Sequence, residues 1–489
     1  MKPCIERLPR HLALAACVLA LTCLPPARAA DPALDRAAAA MKVDEVRTIR
    51  YSADGIGYTF GQAFRPGEAW PKINIRAYTR SIDYGSASMR DEIEFIRGEA
   101  LGGGGYPHAA PQRNVELVSG GYAWNQVVTA PVPGSRFVAG RIHQLWITPH
   151  GALKAAVRNS ASVRKATREG RTYDVATFAE PGRFTATVFI GQRGLVERVE
   201  SRVPDPVLGD TPVVTVYSEY RDFAGVPFPT RITQAAGGHP TLALAVREVQ
   251  PNAPVDIVLP DLVRAATERV TAEKVADGVW FIAGGSHNSV AIEMADHVVV
   301  VETPLNDLRA VPALAKVREV VPGKPIRTVV NSHGHFDHSG GLRAAVAEGA
   351  TIVTQALNKP YFERAFANAN TISPDALARS GRKARIETVD RKRVITHGVR
   401  VVELHHVADS HHSDTFLMVY LPKERLLIEA DSFTPGAPNS PPPATPNPNH
   451  VNLIENLERL KLDVERILPL HGRVVPVKEL YTAVGRPSP

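Results

Sequence analysis

Four ionisable residues follow directly on an apolar strand in the second half of this 489-residue chain, and they constrain its fold more than any other feature. The segment 328–330 has the apolar, β-branched character of a buried strand, and Gly340 and Gly341 open a helical stretch after the four residues. The four are His333, His335, Asp337 and His338. A strand-to-helix loop lies at the carboxyl edge of a sheet, where α/β proteins bind ligands. We therefore expect an α/β layer with a polar site at one edge.

These four residue types indicate a metal site. Three imidazoles and a carboxylate within six residues suit a borderline ion such as Zn²⁺. Their alternate spacing lets His333 and His335 reach one ion while Asp337 and His338 turn toward another. Burying such groups without an ion would be costly. Further ligands are expected at the ends of later strands, and the candidates are His411, His412, Asp431 and His471.

The pattern of strands and helices divides the chain in two. Beyond about Thr271, strands are predicted at 278–282, 290–292, 297–301, 327–330, 350–354, 399–404, 416–421, 426–428 and 466–468, and helices at 308–320, 341–348 and 453–460. This alternation predicts a layered α/β domain. Residues before about Val258 read mostly as strands bounded by turns, with short helices near 33–41 and 152–161 and a flexible loop at 102–105. They predict a mainly antiparallel β domain in which no constellation suggests chemistry.

Four segments follow from these patterns. They are a signal peptide (1–30), a β-rich accessory domain (31–258), a linker (259–270) and the α/β domain (271–489). The linker is placed by Pro251, Pro254 and Pro260, because proline fixes φ and removes a donor where an element should end.

The N-terminus has the pattern of a cleaved leader. Positive residues precede a 13-residue apolar run from Leu12 to Leu24, and small residues at Ala27 and Ala29 follow it. The run is short for a bilayer span, so we expect an exported protein without stable membrane insertion, periplasmic if the source is a two-membrane bacterium. Cys4, Cys17 and Cys23 all lie in this leader. The mature chain would therefore have no disulfide and no thiolate ligand.

The net charge argues against a nucleic-acid partner. The leader holds four basic residues and one acid, so removing it lowers the formal net charge from +7 to +4. A small positive net charge of this size affects solubility and does not indicate nucleic-acid binding. We therefore expect a small-molecule substrate.

The order His-x-His-x-Asp-His, then His, Asp and His-Gly resembles the metallo-β-lactamase superfamily over about the last 220 residues. The resemblance implies an αβ/βα sandwich with two Zn²⁺ per chain, iron or manganese being the alternative metals. It implies that His333, His335 and either His411 or His412 bind the first ion, and that Asp337, His338 and His471 bind the second. Asp431 would bridge the two.

Two features depart from the usual pattern of that superfamily. His411 and His412 are adjacent, and neighbouring residues in an extended chain point to opposite sides, so only one is expected to be a ligand. The Ser413 and Asp414 that follow favour His412. The β-lactamases of this fold usually lack the bridging aspartate, so Asp431 points to the lactonase, thioesterase and phosphodiesterase branches.

The resemblance implies a hydrolase in which a metal-activated hydroxide attacks an ester, lactone, amide or related bond, with Asp337 as a catalytic proton carrier. Glu302 is expected to orient a ligand imidazole, and His287 and Asn288 to line the pocket. Two alternatives stay open: β-lactam hydrolysis, and a periplasmic binding protein for an apolar or lipid-like ligand with a structural metal site.

The first half resembles the half-barrel of periplasmic lipoprotein-carrier proteins. The cue is the turn from Tyr217 to Pro229 between long strands. This resemblance implies a scaffold for the enzyme or the face of a homodimer.

Overall fold

The structure is a computed structural model that describes residues 31–104 and 111–488. The predicted leader, residues 1–30, lies outside the described residues, and so does Gly105 of the glycine-rich loop. Within the described part of the chain, no helix is both long and apolar enough to cross a membrane.

The described part of the first half forms one antiparallel sheet of thirteen strands. The strands are β1 (Thr48–Tyr58), β2 (Lys72–Asp83), β3 (Ser88–Arg97), β4 (Gln112–Ser119), β5 (Tyr122–Val127), β6 (Ala130–Pro133), β7 (Ser162–Arg168), β8 (Arg171–Glu180), β9 (Phe184–Ile190), β10 (Val196–Asp205), β11 (Gly209–Phe223), β12 (Val226–Ala236) and β13 (His239–Pro251). Strands β1 to β6 and β7 to β13 are two meanders, joined where β1 pairs with β13. The predicted antiparallel β domain is confirmed.

Three helices fill one face of this sheet: α1 (Pro32–Met41), α2 (Val138–Trp146) and α3 (Pro149–Arg158). Helix α2 contacts β3, β4 and β5 of one meander and β10 of the other. Because these strands are far apart in the sheet order, the sheet must curl around the helix. Met41, Ile142 and Leu153 from the helices share one buried core with Phe184 from the sheet.

Helix α2 was not expected from the sequence. Gly140 and the β-branched Val138 and Ile142 lower its intrinsic helix propensity. Its Ile142 and Leu145 are buried in the core, so tertiary packing stabilises it.

The connecting segment is attached to the first half. It contains the short helix α4 (Asp261–Arg264), whose Val263 is buried against Val115, Leu117 and Trp124. Val263 therefore packs against the domain before the segment, while Glu268 Oε1 and Arg269 O accept from Arg309 of the second half.

The second half has two mixed sheets. The first contains β14 (Thr271–Ala276), β15 (Val279–Ala283), β16 (Ser289–Glu293), β17 (Val298–Val301), β18 (Ile326–Val330), β19 (Thr351–Gln355) and β20 (Arg385–Val389) in that spatial order. The second contains β21 (Lys392–His397), β22 (Arg400–His406), β23 (Leu417–Leu421), β24 (Leu426–Glu429), β25 (Arg466–Pro469) and β26 (Val475–Pro476). Strands β17 to β20 are parallel to one another, and so are β24 and β25.

Helices cover the outer faces of both sheets. They are α5 (Asp307–Val320), α6 (Phe336–Ser339), α7 (Leu342–Glu348), α8 (Asn358–Ala367), α9 (Ala376–Ser380), α10 (Pro448–Leu460) and α11 (Val477–Ala483). Strand β17 shows how the layers arise. Its Val298 and Val300 share a core with α5 and α7, while Val299 and Val301 share a core with the second sheet. Because side chains alternate along a strand, a run of four valines is buried on both faces. The predicted αβ/βα sandwich is confirmed.

The two halves are in contact through the β10–β11 turn. Val207 in this turn is buried in the same core as Phe362 of α8. The Asp210 N–H donates to the Ala369 carbonyl oxygen (2.7 Å), and Asp210 Oδ2 accepts from Thr371 N (2.8 Å) and Thr371 Oγ1 (2.7 Å).

Candidate metal centre

The sequence-predicted ligands meet at one edge of the sandwich because several strands end or begin there. In the first sheet β18 ends at Val330, just before the histidine loop. In the second sheet β24 ends just before Asp431 and β25 just before His471. Strand β23 runs antiparallel to β24, so the loop that precedes it, with His412, lies at the same edge.

The first cluster combines His333, His335, His412 and Asp431, with one donor atom of each within 4.8 Å of the others. His333 Nε2 lies 2.9 Å from His335 Nδ1 and 3.3 Å from His412 Nε2. His335 Nε2 donates to the Ala63 carbonyl oxygen at 3.1 Å, which leaves its Nδ1 facing the other rings.

The second cluster combines His287, Asp337, His338 and His471. His338 Nε2 lies 3.0 Å from His471 Nε2, and His287 Nε2 lies 3.3 Å from Asp337 Oδ2. His471 Nδ1 donates to the Ser286 carbonyl oxygen at 3.2 Å, so its Nε2 faces the cluster.

Asp431 lies between the two clusters. Its Oδ2 is 3.0 Å from His412 Nε2 and 3.3 Å from His333 Nε2 in the first, and 2.9 Å from His338 Nε2 in the second. Its Oδ1 is 2.9 Å from His471 Nε2. One carboxylate is therefore in contact with donors from both clusters.

The site combines buried imidazoles of lowered pKa, His333 and His335, with carboxylates of lowered pKa, Asp337 and Asp431. Burial lowers the pKa of His333 to about 3 and that of His335 well below its ordinary value. Burial would raise the pKa of Asp431, but His338 and His412 hold it well below its usual range. His338 is the exception, because Asp431 and Asp337 outweigh burial and raise its pKa well above the ordinary value. The protein thus gathers negative charge that only a cation or a proton can balance.

Glu302 lies beneath the histidine loop and is fully buried. It follows β17 with a φ of 71°, in the left-handed region that costs a non-glycine residue about 1 kcal/mol or more. Its Oε2 accepts from Ser332 N at 3.3 Å and lies 3.6 Å from His338 Nδ1. This placement fits the predicted orienting role.

The side chains of His411 and His412 have different environments, as the alternation of side chains along an extended chain suggested. His412 is in the first cluster, whereas His411 is exposed and its carbonyl oxygen accepts from Gly102 N of the first half at 2.9 Å.

Asn288 braces the second cluster. It is buried, its N–H donates to Leu470 O at 2.8 Å, and its Nδ2 donates to Gly472 O at 2.9 Å. These bonds hold the segment that carries His471.

Residues 282–471, which span every member of both clusters, match the family model described as the metallo-beta-lactamase superfamily. The C-terminal half has the metallo-β-lactamase fold. The match to this superfamily supports a metal-dependent hydrolase in general, and candidate metal sites are present.

Three similar proteins illustrate the range of relatives. An alkyl/aryl-sulfatase of Saccharomyces cerevisiae is 30% identical over 103 residues, which are 20% of this chain and 16% of that protein, so the match spans about a sixth of its length. A metallo-beta-lactamase structure from Pontibacter korlensis is 15% identical, with a TM-score of 0.34, and the alignment covers 44% of this chain and 97% of that one. A metallo-beta-lactamase structure from Hirschia baltica is 20% identical, with a TM-score of 0.34, and the alignment covers 45% of this chain and 99% of that one.

The first half supplies contacts to the metallo-β-lactamase domain that the sequence did not predict. The β1–β2 loop, residues 59–71, lies against the histidine loop. Gln62 Nε2 donates to Asp337 Oδ1 at 2.7 Å, and Ala63 supplies the carbonyl oxygen that binds His335. The sequence showed no constellation in this half that suggested chemistry, and these two contacts belong to no such pattern. Neither contact could be predicted from the local sequence, because glutamine is a common residue and every residue has a backbone carbonyl oxygen.

The glycine-rich loop is also part of this contact. A Cβ built on Gly103 would lie 1.8 Å from Gln62 Oε1 and 2.7 Å from His335 Cε1. Arg97 donates to Gly102 O at 2.7 Å and to Leu101 O at 2.9 Å. The described part of this loop, predicted to be flexible, is bound to the protein on both sides, and glycine is needed at position 103 for close approach to the histidine.

Proposed function

We propose that this chain is an exported hydrolase that holds two zinc ions and cleaves an ester, lactone, amide or related bond of a small-molecule substrate. The observation that carries the proposal is Asp431, whose two oxygens contact ring nitrogens of both clusters. One carboxylate between two sets of imidazoles is suited to bridging two ions.

The donor set fits such ions. The far nitrogens of His335 and His471 donate to backbone carbonyl oxygens, so their near nitrogens direct lone pairs into the site. Unshared lone pairs that face each other at about 3 Å repel unless a cation lies among them. His333, His335 and His412 would hold one ion, Asp337, His338 and His471 the other, and Asp431 both. His287 lies beside the second set of donors, with its Nε2 directed at Asp337 Oδ2.

Divalent cations supply two things in such a site, a lowered pKa for water and polarisation of the substrate oxygen. The residues of the chain supply orientation and proton transfer. Gln62 and His287 bind opposite oxygens of Asp337 and fix its carboxylate. Held in this way, Asp337 accepts a proton from the attacking water at a carboxylate oxygen and passes it to the leaving group.

The alternatives differ in what supports them. Helices α1 to α3 fill the face of the large sheet on which an apolar ligand would lie, which favours the enzyme over a lipid-binding protein. The partial match to a protein named as an alkyl/aryl-sulfatase favours sulfate esters as a second candidate substrate class. Hydrolysis of β-lactams stays the third candidate.

Export is part of the proposal and rests on the leader-like pattern of residues 1–30. In a two-membrane bacterium the mature protein would be periplasmic.

Elemental analysis of the purified protein beside the Asp431→Ala variant tests the proposal. We expect about two zinc per chain, falling in the variant, and hydrolysis of a lactone, carboxylic ester, sulfate ester or β-lactam that stops in chelator. One iron per chain would redirect the proposal to oxygen chemistry. Folded protein that binds no metal even after reconstitution would refute the hydrolase.

A further inference from the structure

A cavity of about 540 Å³ lies between the two halves of the molecule. The first half contributes Tyr122, Arg136 and Phe137 to its wall, and the metallo-β-lactamase domain contributes Ser286 and Leu305. The connecting segment 266–269 supplies a third part of the wall. No single domain could form this cavity.

The cavity adjoins the second metal cluster. Ser286 in its wall contacts two members of that cluster, because Ser286 Oγ lies 2.9 Å from His287 Nδ1 and the Ser286 carbonyl oxygen accepts from His471 Nδ1. The Leu305 N–H in the same wall donates to the Asp337 carbonyl oxygen at 2.8 Å. A molecule in the cavity therefore lies against the outer side of the second cluster, next to the ring nitrogens of His287 and His471 that face away from the other donors.

Arg136 is a cation in this wall with unused donors. Its Cζ lies 4.3 Å above the Phe137 ring, which holds the guanidinium in place. Across residues 31–104 and 111–488, no acceptor lies within hydrogen-bonding distance of its guanidinium. Burial lowers the pKa of Arg136, and Asp337 is the acid whose charge acts on it most strongly.

Arg309 also lines the cavity but, unlike Arg136, it is hydrogen-bonded to other groups of the protein. Its guanidinium donates to Glu268 Oε1 (2.9 Å), Arg269 O (2.8 Å) and His287 O (3.0 Å), so it serves the protein's own structure. The side chain of Arg269 is a further, exposed cation in the lining. With three arginines and only Glu268 opposing them, the wall has an excess of positive charge.

We propose that this cavity binds a carboxylate group of the substrate on Arg136, so that the enzyme acts on substrates with an anionic end beside the scissile bond. The planar fork of an arginine matches a carboxylate in a bidentate arrangement, and a partly desolvated guanidinium gains most from such a partner. The apolar surfaces of Tyr122, Phe137 and Leu305 suit a short carbon chain between the two ends. The inference rests on the proposed function for the hydrolytic step and on the cavity alone for binding.

Two matched esters test the selectivity: the mono-4-nitrophenyl ester of glutaric acid, and 4-nitrophenyl pentanoate, in which a methyl group replaces the carboxylate. We expect Arg136→Ala to lower kcat/KM for the anionic ester by about 10- to 100-fold and for the neutral ester by less than about 2-fold. Arg136→Lys should lie between, and Arg76→Ala, an exposed arginine on β2, should match the wild type. Equal losses for both esters in Arg136→Ala and Arg136→Lys would overturn the assignment.

Calorimetric titration with glutarate separates this inference from the hydrolase proposal. We expect binding to the wild type and to Asp431→Ala, and binding at least about 10-fold weaker to Arg136→Ala. If neither ester is cleaved but glutarate binding depends on Arg136, simple carboxylic esters are excluded as the scissile bond and the anion site stands. Glutarate binding that is lost in Asp431→Ala and kept in Arg136→Ala would place the anion on the metals and overturn the proposal, and so would no binding to the wild type.

Discussion

At the scale of single residues, the candidate site depends on which side chains point inward. Asp431 has ring nitrogens from both clusters within 3.3 Å. Asp431 follows the buried strand β24, and the backbone of that strand sets where its short carboxylate lies.

The adjacent pair His411 and His412 offers a matched test. We expect His412→Ala to lower bound zinc from about two to about one per chain, because a first-cluster donor is removed. His411→Ala should leave zinc unchanged, since the His411 ring is exposed and only its backbone carbonyl makes a contact. Elemental analysis of both variants checks this, and equal zinc losses in the two would show that the ligand is not selected by side-chain direction.

At the scale of elements, the β1–β2 loop does more than join two strands. It contributes Gln62 and Ala63 to the site, and Phe60 packs edge-on against Phe336 of α6 at 5.4 Å between ring centroids. The loop therefore contacts both the imidazole of His335, a candidate metal ligand, and the carboxylate proposed to move protons.

Gln62→Leu removes the donor to Asp337 while keeping the side-chain volume. We expect kcat/KM for a cleavable ester to fall by about 10-fold, since the loss of one hydrogen bond to a charged group costs about 1.5 kcal/mol. Zinc content should stay unchanged, which distinguishes positioning from metal binding. Glu68→Gln, an exposed change in the same loop, is the control. A drop in zinc that parallels the drop in activity would contradict the positioning role.

At the scale of the whole molecule, the two halves share packed surfaces at the β10–β11 turn and at the metal site. Asp205 lies in that turn beside Val207, and its Oδ1 accepts from Val207 N and Leu208 N, both at 2.8 Å. Burial raises the pKa of Asp205 to about 6 despite these bonds. Folding thus favours the protonated form of Asp205. Its contribution to the free energy of unfolding is present below about pH 4 and is lost as the pH rises toward 6.

Asp205→Asn should therefore stabilise the protein at pH 7.5 by about 1–2 kcal/mol, because the amide oxygen keeps both bonds and carries no charge. At pH 4 the variant and wild type should unfold at similar denaturant concentrations. Denaturation curves at both values check this, with Asp222→Asn in the exposed β11–β12 turn as the control for the same exchange. A stability difference that does not change with pH would show that the charge of Asp205 is not the cause.

The sequence by itself indicated the fold class of both halves and the donors of the candidate metal site. Valine-rich strands that alternate with helices indicate a layered α/β arrangement, in which the ends of parallel strands meet at one edge. The histidines and aspartates could be recognised because their chemistry is rare and concentrated at those ends.

Only the tertiary structure decided which of two adjacent histidines faces the site, that Glu302 is buried beneath it, and that the first half contacts it. Gln62 lies 275 positions from Asp337 along the chain, and Arg136 belongs to a different domain from the cluster beside it. Such contacts depend on how two packed domains meet, and no local pattern of residue types encodes that arrangement.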